Sequence, residues 1–251
     1  MRGFRAALAE LAPEVIDSHE PVALLVDDIP GATLISGFAF SRWVSMPQLL
    51  ERARAAGGPR AGHPRRMEGT CAGFTSGSSA LAPDGTSQWT HRTRAVRLLA
   101  DDPDPWAWHR LPPEPGEVSM RRMRRLDVWV EGGAVHVDAM FQDSATRPDG
   151  GRDAVHEYSL TAAADLATGE LTSVEPVPRV LPYAECPLAV RQVDRLLGVP
   201  LGELRSVVLD RLKGVDGCTH LNDALRALAD VPHLLARLDG VPGGGVPARP
   251  V

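Results

Sequence analysis

An alternation of apolar side chains with polar or amphipathic ones is the clearest pattern in the chain. Apolar residues occupy every second position from Leu126 to Val130 and again from Val135 to Phe141, with Glu-Gly-Gly between the two runs. Alternate side chains of a strand point to opposite faces of a sheet, and a glycine-containing turn between two such runs is typical of a β-hairpin. The pattern therefore predicts two paired antiparallel strands.

Two further strands and a group of short helices follow the hairpin. Turn-forming residues bound strand-like runs at Val155–Thr161 and Leu171–Val177. After Pro182 the apolar period changes from two to about 3.6, the period of a helix. Helices are predicted around residues 188–197, 204–212, 221–228 and 234–238. This order indicates an α+β fold, with an antiparallel sheet or partial barrel and a C-terminal cluster of short helices packed on it.

The first hundred residues have weaker patterns. Short apolar runs predict a hairpin with strands at 21–26 and Ala32–Phe40, and helical spacing predicts a helix over Trp43–Ala56. Thr70–Phe74 and Val96–Leu99 are strand-like and are separated by a Gly/Ser-rich stretch. The N-terminal portion is therefore predicted as a mixture of short strands and one helix.

The length of the chain favours one integrated domain over residues 1–239. A separate N-terminal unit of roughly 60 residues would bury too little apolar surface to be robust alone. We therefore expect the portion of about 1–116 to pack with the meander and helices of about 117–239. Glycine and proline are frequent in residues 240–251, where we expect a disordered tail.

Charge and composition limit the classes of partner. The chain carries 27 basic and 32 acidic side chains, a formal net charge of −5, which argues against nucleic acid and anionic membranes as partners. No stretch approaches the roughly 18 apolar residues of a membrane helix. Arginines cluster at Arg121–Arg125, where one interpretation is a small anionic ligand and the other is a solvated strand entry with neighbouring carboxylates.

The cysteines and the N-terminus predict a cytoplasmic location. Three cysteines are an odd and sparse set, unlike the disulfide framework of a secreted protein. The first apolar run is broken by Glu10, Pro13 and Glu14, so it lacks the continuous core of a signal peptide. We therefore expect free thiols in a reducing compartment.

The residues that suggest chemistry lie in the C-terminal half. Cys186 stands where the last strand gives way to the first helix, and Cys218 and His220 stand at a helix start. Zinc prefers thiolate and imidazole ligands, so the predicted metal ligands are His156, Cys186, Cys218 and His220. The positive end of a helix dipole lowers the pKa of a thiol, which also makes Cys218 a candidate nucleophile.

A second candidate rests on a carboxylate. Asp143 ends one hairpin strand and His156 begins the next, so pairing of these strands would bring the two side chains together as an acid/base pair or half of a metal site. The candidate catalytic residues are Asp143, His156, Cys218 and His220. In the alternative interpretation the cysteines are buried and inert, and the histidines are cap or core residues.

Five strings of the C-terminal half together resemble a known bacterial family. They are Arg121–Arg125, Asp143, Val155–Tyr158, Leu181–Pro187 (Leu-Pro-Tyr-Ala-Glu-Cys-Pro) and Gly217–Asp223 (Gly-Cys-Thr-His-Leu-Asn-Asp). From Arg121 to near Leu235 the chain is similar to the family catalogued as domain of unknown function 2889. The preceding residues resemble additions in a longer, actinobacterial-style branch. The resemblance identifies relatives and implies no particular reaction.

Two functions of different classes fit these features. The first is an intracellular enzyme that acts on a small anionic metabolite at a Cys/His-rich site, which predicts that the candidate side chains converge. The second is a non-catalytic binding or assembly module in which the Cys/His residues are structural, which predicts an exposed apolar patch and no cluster of titratable groups.

Overall fold

The structure is a computed structural model. It describes residues 36–44, 67–81, 92–104 and 116–238, together with the single positions 51, 55, 107, 108 and 114. The predicted strand at 21–26, most of the predicted helix from Trp43 onwards and the predicted tail at 240–251 lie outside the described residues. That residues 1–239 form one domain stays a prediction.

A curled antiparallel sheet forms the centre of the fold. Its strands are β1 (Arg94–Val96), β2 (Met120–Glu131), β3 (Ala134–Thr146), β4 (Arg152–Asp165) and β5 (Leu171–Val180). The last four make a meander, in which β4 pairs with β3 on one side and with β5 and the short β1 on the other. The sheet curls into a half-barrel, which confirms the predicted α+β class.

Short helices follow the sheet in the predicted order. They are a 3₁₀-helix at Cys186–Leu196 and the α-helices α2 (Leu204–Arg211), α3 (Thr219–Ala227) and α4 (Val231–Leu238), with α1 (Ser36–Trp43) earlier in the chain. No helix among the described residues is long and apolar enough to cross a membrane. The bounds given above confirm the four predicted C-terminal helices, although the first of them has 3₁₀ hydrogen bonding.

The core lies between the sheet and the C-terminal helices. Every second side chain of β3 and β4 faces it, including Phe141, Tyr158 and Leu160, which are all but fully buried. The helices contribute leucines that are equally buried, namely Leu196, Leu204, Leu212, Leu221, Leu225 and Leu228. The alternation in the sequence therefore marks the face of the sheet that the helices cover.

Two predictions for the N-terminal portion are wrong. Residues 36–40 are helical in α1 instead of belonging to a strand, and Ala72–Phe74 is a 3₁₀-helix. In each case neighbouring residues are buried together, Phe38 with Ala39 and Ala72 with Gly73, whereas a strand with one covered face buries alternate residues. Short apolar runs without alternation do not distinguish a strand from a buried helical turn. The strand predicted at Val96–Leu99 is found earlier, as β1.

A β-bulge interrupts the pairing of β3 and β4. Asp143 is paired with His156, but the next residue, Ser144, is paired with Ala154, so Val155 is the extra residue. A bulge bends a strand and changes the direction of nearby side chains, and bulges are frequent beside functional sites. The extra residue lies next to the candidate pair Asp143 and His156.

Two leucines of α2 provide a test of the helix packing. Leu204 is fully buried, whereas Leu209 on the same helix is 51% exposed. We expect Leu204→Ala to lower the free energy of unfolding by about 2–5 kcal/mol because it leaves a cavity. Leu209→Ala should change it by less than about 0.5 kcal/mol. Chemical denaturation of the full chain measures both, and equal losses would contradict the packing described here.

Candidate metal centre

A row of three polar side chains crosses the sheet on its helix-covered face. Arg122 of β2 is paired with Asp143 of β3, and Asp143 is paired with His156 of β4. Directly paired residues on neighbouring strands lie on the same face within contact distance. The strands of the meander thus place a cation, a carboxylate and an imidazole side by side in the core, as the sequence predicted for Asp143 and His156.

Asp143 is a fully buried carboxylate held by Arg122. The guanidinium donates from Nε to Oδ1 and from Nη2 to Oδ2, each at 2.8 Å, and it also lies 4.9 Å from the centre of the Phe141 ring. Burial alone would raise the pKa of Asp143, but the hydrogen bonds from Arg122, the nearby imidazoles and the charge of Arg122 outweigh it and hold the pKa well below its usual range. Asp143 is therefore an anion in the core.

The second histidine comes from the start of α3. Gly217 precedes the helix and fits against backbone, since a β-carbon at this position would stand 1.9 Å from the carbonyl oxygen of Leu212. Asn222 donates to the same carbonyl at 2.7 Å, and Cys218 occupies the N-cap position. This close packing sets the first turn of α3 over the sheet and points His220 at the row of polar side chains.

Both imidazoles approach the same oxygen of Asp143. Nδ1 of His156 lies 3.5 Å and Nε2 of His220 3.4 Å from Oδ2, yet neither nitrogen makes a hydrogen bond of normal geometry. The side chains are 12% and 9% exposed. Burial lowers the pKa of both histidines, and the charges of His156 and Arg122 add to this effect at His220. Both rings are therefore neutral, with lone pairs available at neutral pH.

These three residues could together hold a metal ion. Within the described part of the chain, Asp143, His156 and His220 are the one group of three potential ligands whose donor atoms all lie within 4.8 Å of one another. A tetrahedral cation with ligands at about 2.1 Å separates them by roughly 3.4 Å, whereas octahedral geometry would give roughly 3.0 Å. The observed separations of 3.4 and 3.5 Å from Oδ2 are close to such spacings.

The two rings are stacked in the present arrangement. Their centres lie 3.4 Å apart and their planes differ by 15°. An imidazole binds a metal through a lone pair that lies in the ring plane, so an ion shared by both histidines requires one ring to turn. His156 is the more exposed of the two and stands next to the bulge.

Two of the predicted ligands lie elsewhere. Cys218 Sγ is 3.9 Å from Nδ1 of His220, on the side of the ring that faces away from Asp143. Cys186 lies next to Gly73 and belongs to a different group of side chains. Asp143, which the sequence suggested as an acid/base or half-site residue, stands where the predicted set had a cysteine.

One comparison with known proteins gives a match. Residues 120–233 match the model of the family described as Protein of unknown function (DUF2889). This part of the chain is a DUF2889 domain. It contains Arg122, Asp143, His156 and His220, and it excludes α1, β1 and Cys71. No curated protein and no solved structure was found to match the chain.

Sequence reasoning did not identify Arg122 as part of the site of the DUF2889 domain. The arginines of β2 were expected to form a solvated strand entry, but the side chain of Arg122 is only 8% exposed and also lies 3.6 Å from Asp223 of α3. Its position contains the missing signal. Arg122 is an even number of residues before Leu126 and Val128, so it shares their core-facing side of the strand.

The opposite face of the sheet carries a shallow polar groove. Its volume is about 230 Å³, and its lining includes Arg125, Asp138, Glu157, Ser159 and Arg179. These positions alternate with those of the Asp143 row, so the sheet separates the groove from the histidines. The groove is therefore not an entrance to the candidate centre.

A glycine substitution tests the close packing of the backbone in front of α3. Gly217→Ala forces a β-carbon into the Leu212 carbonyl, and we expect a loss of about 1–3 kcal/mol or more in the free energy of unfolding. Gly202→Ala is the matched control, since no atom lies within 4 Å of its β-carbon, and it should change stability by less than about 1 kcal/mol. Thermal and chemical unfolding measure both, and a harmless Gly217→Ala would contradict the close approach.

Removal of the buried cation tests the ion pair. In metal-free protein, Arg122→Met keeps an apolar stem but leaves the Asp143 carboxylate without its main partner, and we expect a loss of about 3–5 kcal/mol. Arg125→Met is the control on the same strand, because Arg125 pairs with the half-exposed Asp104 and Asp127 and should contribute less than about 1 kcal/mol. Denaturation in the presence of a chelator compares the two variants. Similar losses of unfolding free energy would contradict the burial of the Arg122–Asp143 pair.

Proposed function

We propose that the DUF2889 domain is a metal-dependent enzyme that binds one zinc ion through Asp143, His156 and His220 and acts on a small anionic metabolite. The observation that carries this proposal is the approach of two neutral, buried imidazole nitrogens to one carboxylate oxygen, without a hydrogen bond of normal geometry to it. Once one of the two stacked rings has turned, a cation among the three atoms would satisfy both lone pairs and the carboxylate charge at once.

The donor set suits a catalytic metal better than a structural one. Structural zinc sites have four protein ligands, whereas catalytic sites have three and leave a fourth position for water or substrate. Two imidazoles and one carboxylate are such a three-ligand set. The fourth position of a zinc ion favours an anionic oxygen, which supports an anionic substrate, and zinc supplies Lewis acidity and an acidified water there.

The surrounding residues support the proposed ligands. Arg122 binds both oxygens of Asp143 and so fixes the direction of Oδ2. Cys218 lies at the other ring nitrogen of His220 and serves as the outer partner that keeps Nε2 free for the metal. Outer partners of this kind orient a ligand and set its tautomer.

A nucleophilic thiol is the weaker explanation of the same residues. Cys218, His220 and Asp143 follow one another as in a Cys-His-Asp triad, with 3.9 Å from Sγ to Nδ1 and 3.4 Å from Nε2 to Oδ2. However, burial raises the pKa of the Cys218 thiol and lowers the pKa of His220. The pair is therefore neutral, whereas an activated cysteine requires a thiolate beside a cation.

The burial of the cluster favours one alternative function. Cys218 is 3% exposed and Asp143 is fully buried, so the same residues would also serve a non-catalytic assembly module in which they hold α3 on the sheet. All three cysteines are free thiols, as is usual in a reducing cytoplasm. We therefore place the protein in the cytoplasm, whether it is an enzyme or an assembly module.

Metal analysis tests the centre directly. Zinc titrated into chelator-treated full-length protein should bind, and Asp143→Asn, His156→Ala and His220→Ala should each weaken binding at this centre by more than the roughly 10–100-fold typical of losing an outer partner. Cys186→Ser and His136→Ala are the controls and should leave this binding unchanged. Calorimetry with metal quantification measures it. A zinc stoichiometry that is unchanged in all three ligand variants would refute the centre.

Catalysis requires a separate measurement. A mixture of small carboxylates and phosphate esters, incubated with zinc-loaded protein and followed by NMR, should show conversion of one component. His156→Ala should abolish the conversion while preserving the folded state. Zinc binding without conversion of any component, combined with a lower unfolding temperature of the metal-free protein, would favour the assembly module.

A further inference from the structure

We infer that Cys71, Cys186 and Cys218 form a second site, separate from the zinc centre, which takes a soft, thiophilic cation. The chain has three cysteines, and all three meet in one region although they come from separate segments: the 67–81 loop, the start of the 3₁₀-helix Cys186–Leu196 and the N-cap of α3. Sets of thiolates select soft cations of the cuprous, zinc and cadmium type.

The backbone around Gly73 brings two of the thiols together. A β-carbon at Gly73 would stand 2.7 Å from Sγ of Cys186 and 3.8 Å from Sγ of Cys71, which limits the separation of the two sulfurs to about 6.5 Å. The 67–81 loop is also tied to the third thiol, because the backbone N–H of Ala72 donates to the carbonyl of Gly217 at 2.8 Å. Gly217 directly precedes Cys218.

A buried hydroxyl points to the same region. The side chain of Tyr158 is fully buried, and its hydroxyl faces the thiol of Cys218, although its oxygen makes no hydrogen bond of normal geometry. After burial itself, the main influences on the pKa of this phenol are the three thiols, led by Cys218, and together they raise it above its usual value. A polar oxygen buried without such a bond is costly in a core unless a further group completes its surroundings.

The three thiols are unreactive while no cation is bound. Burial, with a smaller contribution from Cys218, raises the pKa of Cys71 to about 11 and that of Cys186 to about 12. The thiols are therefore protonated and react slowly with oxidants. A divalent cation displaces the thiol protons. One cation and three thiols then give one tris-thiolate complex and three released protons.

The position of Cys71 explains how the site closes. The three sulfurs do not all lie within 4.8 Å of one another, so binding draws them inwards. Cys71 is the one partly exposed thiol and stands in a loop of short 3₁₀ turns. It also lies outside residues 120–233. A cation held by all three thiols therefore crosslinks the segment that precedes the DUF2889 domain to the domain itself.

Cadmium is the probe that tests this site. Titration of Cd²⁺ into the reduced full chain should produce the ultraviolet charge-transfer band of cadmium-bound thiolate, which oxygen and nitrogen ligands do not give. We expect saturation near one equivalent, and at least a tenfold loss of affinity in Cys71→Ser and in Cys186→Ser. His156→Ala should keep the band, since it alters only the zinc centre.

The outcomes separate the two sites. Absence of the band in the intact chain, or an undiminished band in Cys71→Ser, would overturn the three-thiol site while leaving the zinc centre intact. Cys71 is partly exposed, so its substitution should not unfold the chain, and an unchanged unfolding transition without cadmium checks this. If Cys186→Ser unfolds, protection of the partly exposed Cys71 from maleimide by cadmium in the intact chain provides the second measurement, and an unprotected Cys71 would refute the site.

Discussion

The buried charge of Asp143 is the constraint on which the rest of the site depends. An anion in the core is costly unless a cation and hydrogen-bond donors surround it. Arg122 satisfies this requirement from the neighbouring strand with two hydrogen bonds, and its other contact, Asp223, belongs to α3. The guanidinium thus links the sheet to the helix that carries His220. The residue that compensates the carboxylate therefore also contacts the helix that places the second histidine.

A second consequence of this burial is the neutral state of the histidines. Each imidazole lies near a carboxylate, which favours protonation, yet burial dominates and lowers both pKa values. The same low dielectric that would make a free thiolate unstable at Cys218 keeps lone pairs available on His156 and His220. One physical factor therefore argues against a nucleophile and for a metal ligand, although the residue types alone permitted both.

The sequence predicted the parts of the fold that have a period and missed those that do not. Strands β2 to β5 and the C-terminal helices were evident because one covered face imposes a period of two or of 3.6. The Asp143–His156 pair was predictable because the two residues belong to consecutive strands of a meander. His220 was named as a candidate beside them from its residue type and its place at a helix start. Its approach to Oδ2 of Asp143 depends on how α3 packs across the sheet, which the period of the sequence does not give. Arg122 was misjudged because its charge was taken as a sign of exposure. Helix α1 was misjudged because a short apolar run does not show whether its period is that of a strand or of a helix.

The bulge at Val155 gives the site a strict dependence on residue count. On one side of it, even-numbered positions of β4 such as His156 and Tyr158 face the helices; on the other side the extra residue shifts the pairing by one. Loss of a single residue there would exchange the inner and outer faces of a whole strand segment, whereas the 147–151 turn can change length without this effect. Among related sequences, insertions and deletions should therefore be tolerated in that turn and excluded between Asp153 and His156. The number of residues in this part of β4 is as important for the candidate site as the residues themselves.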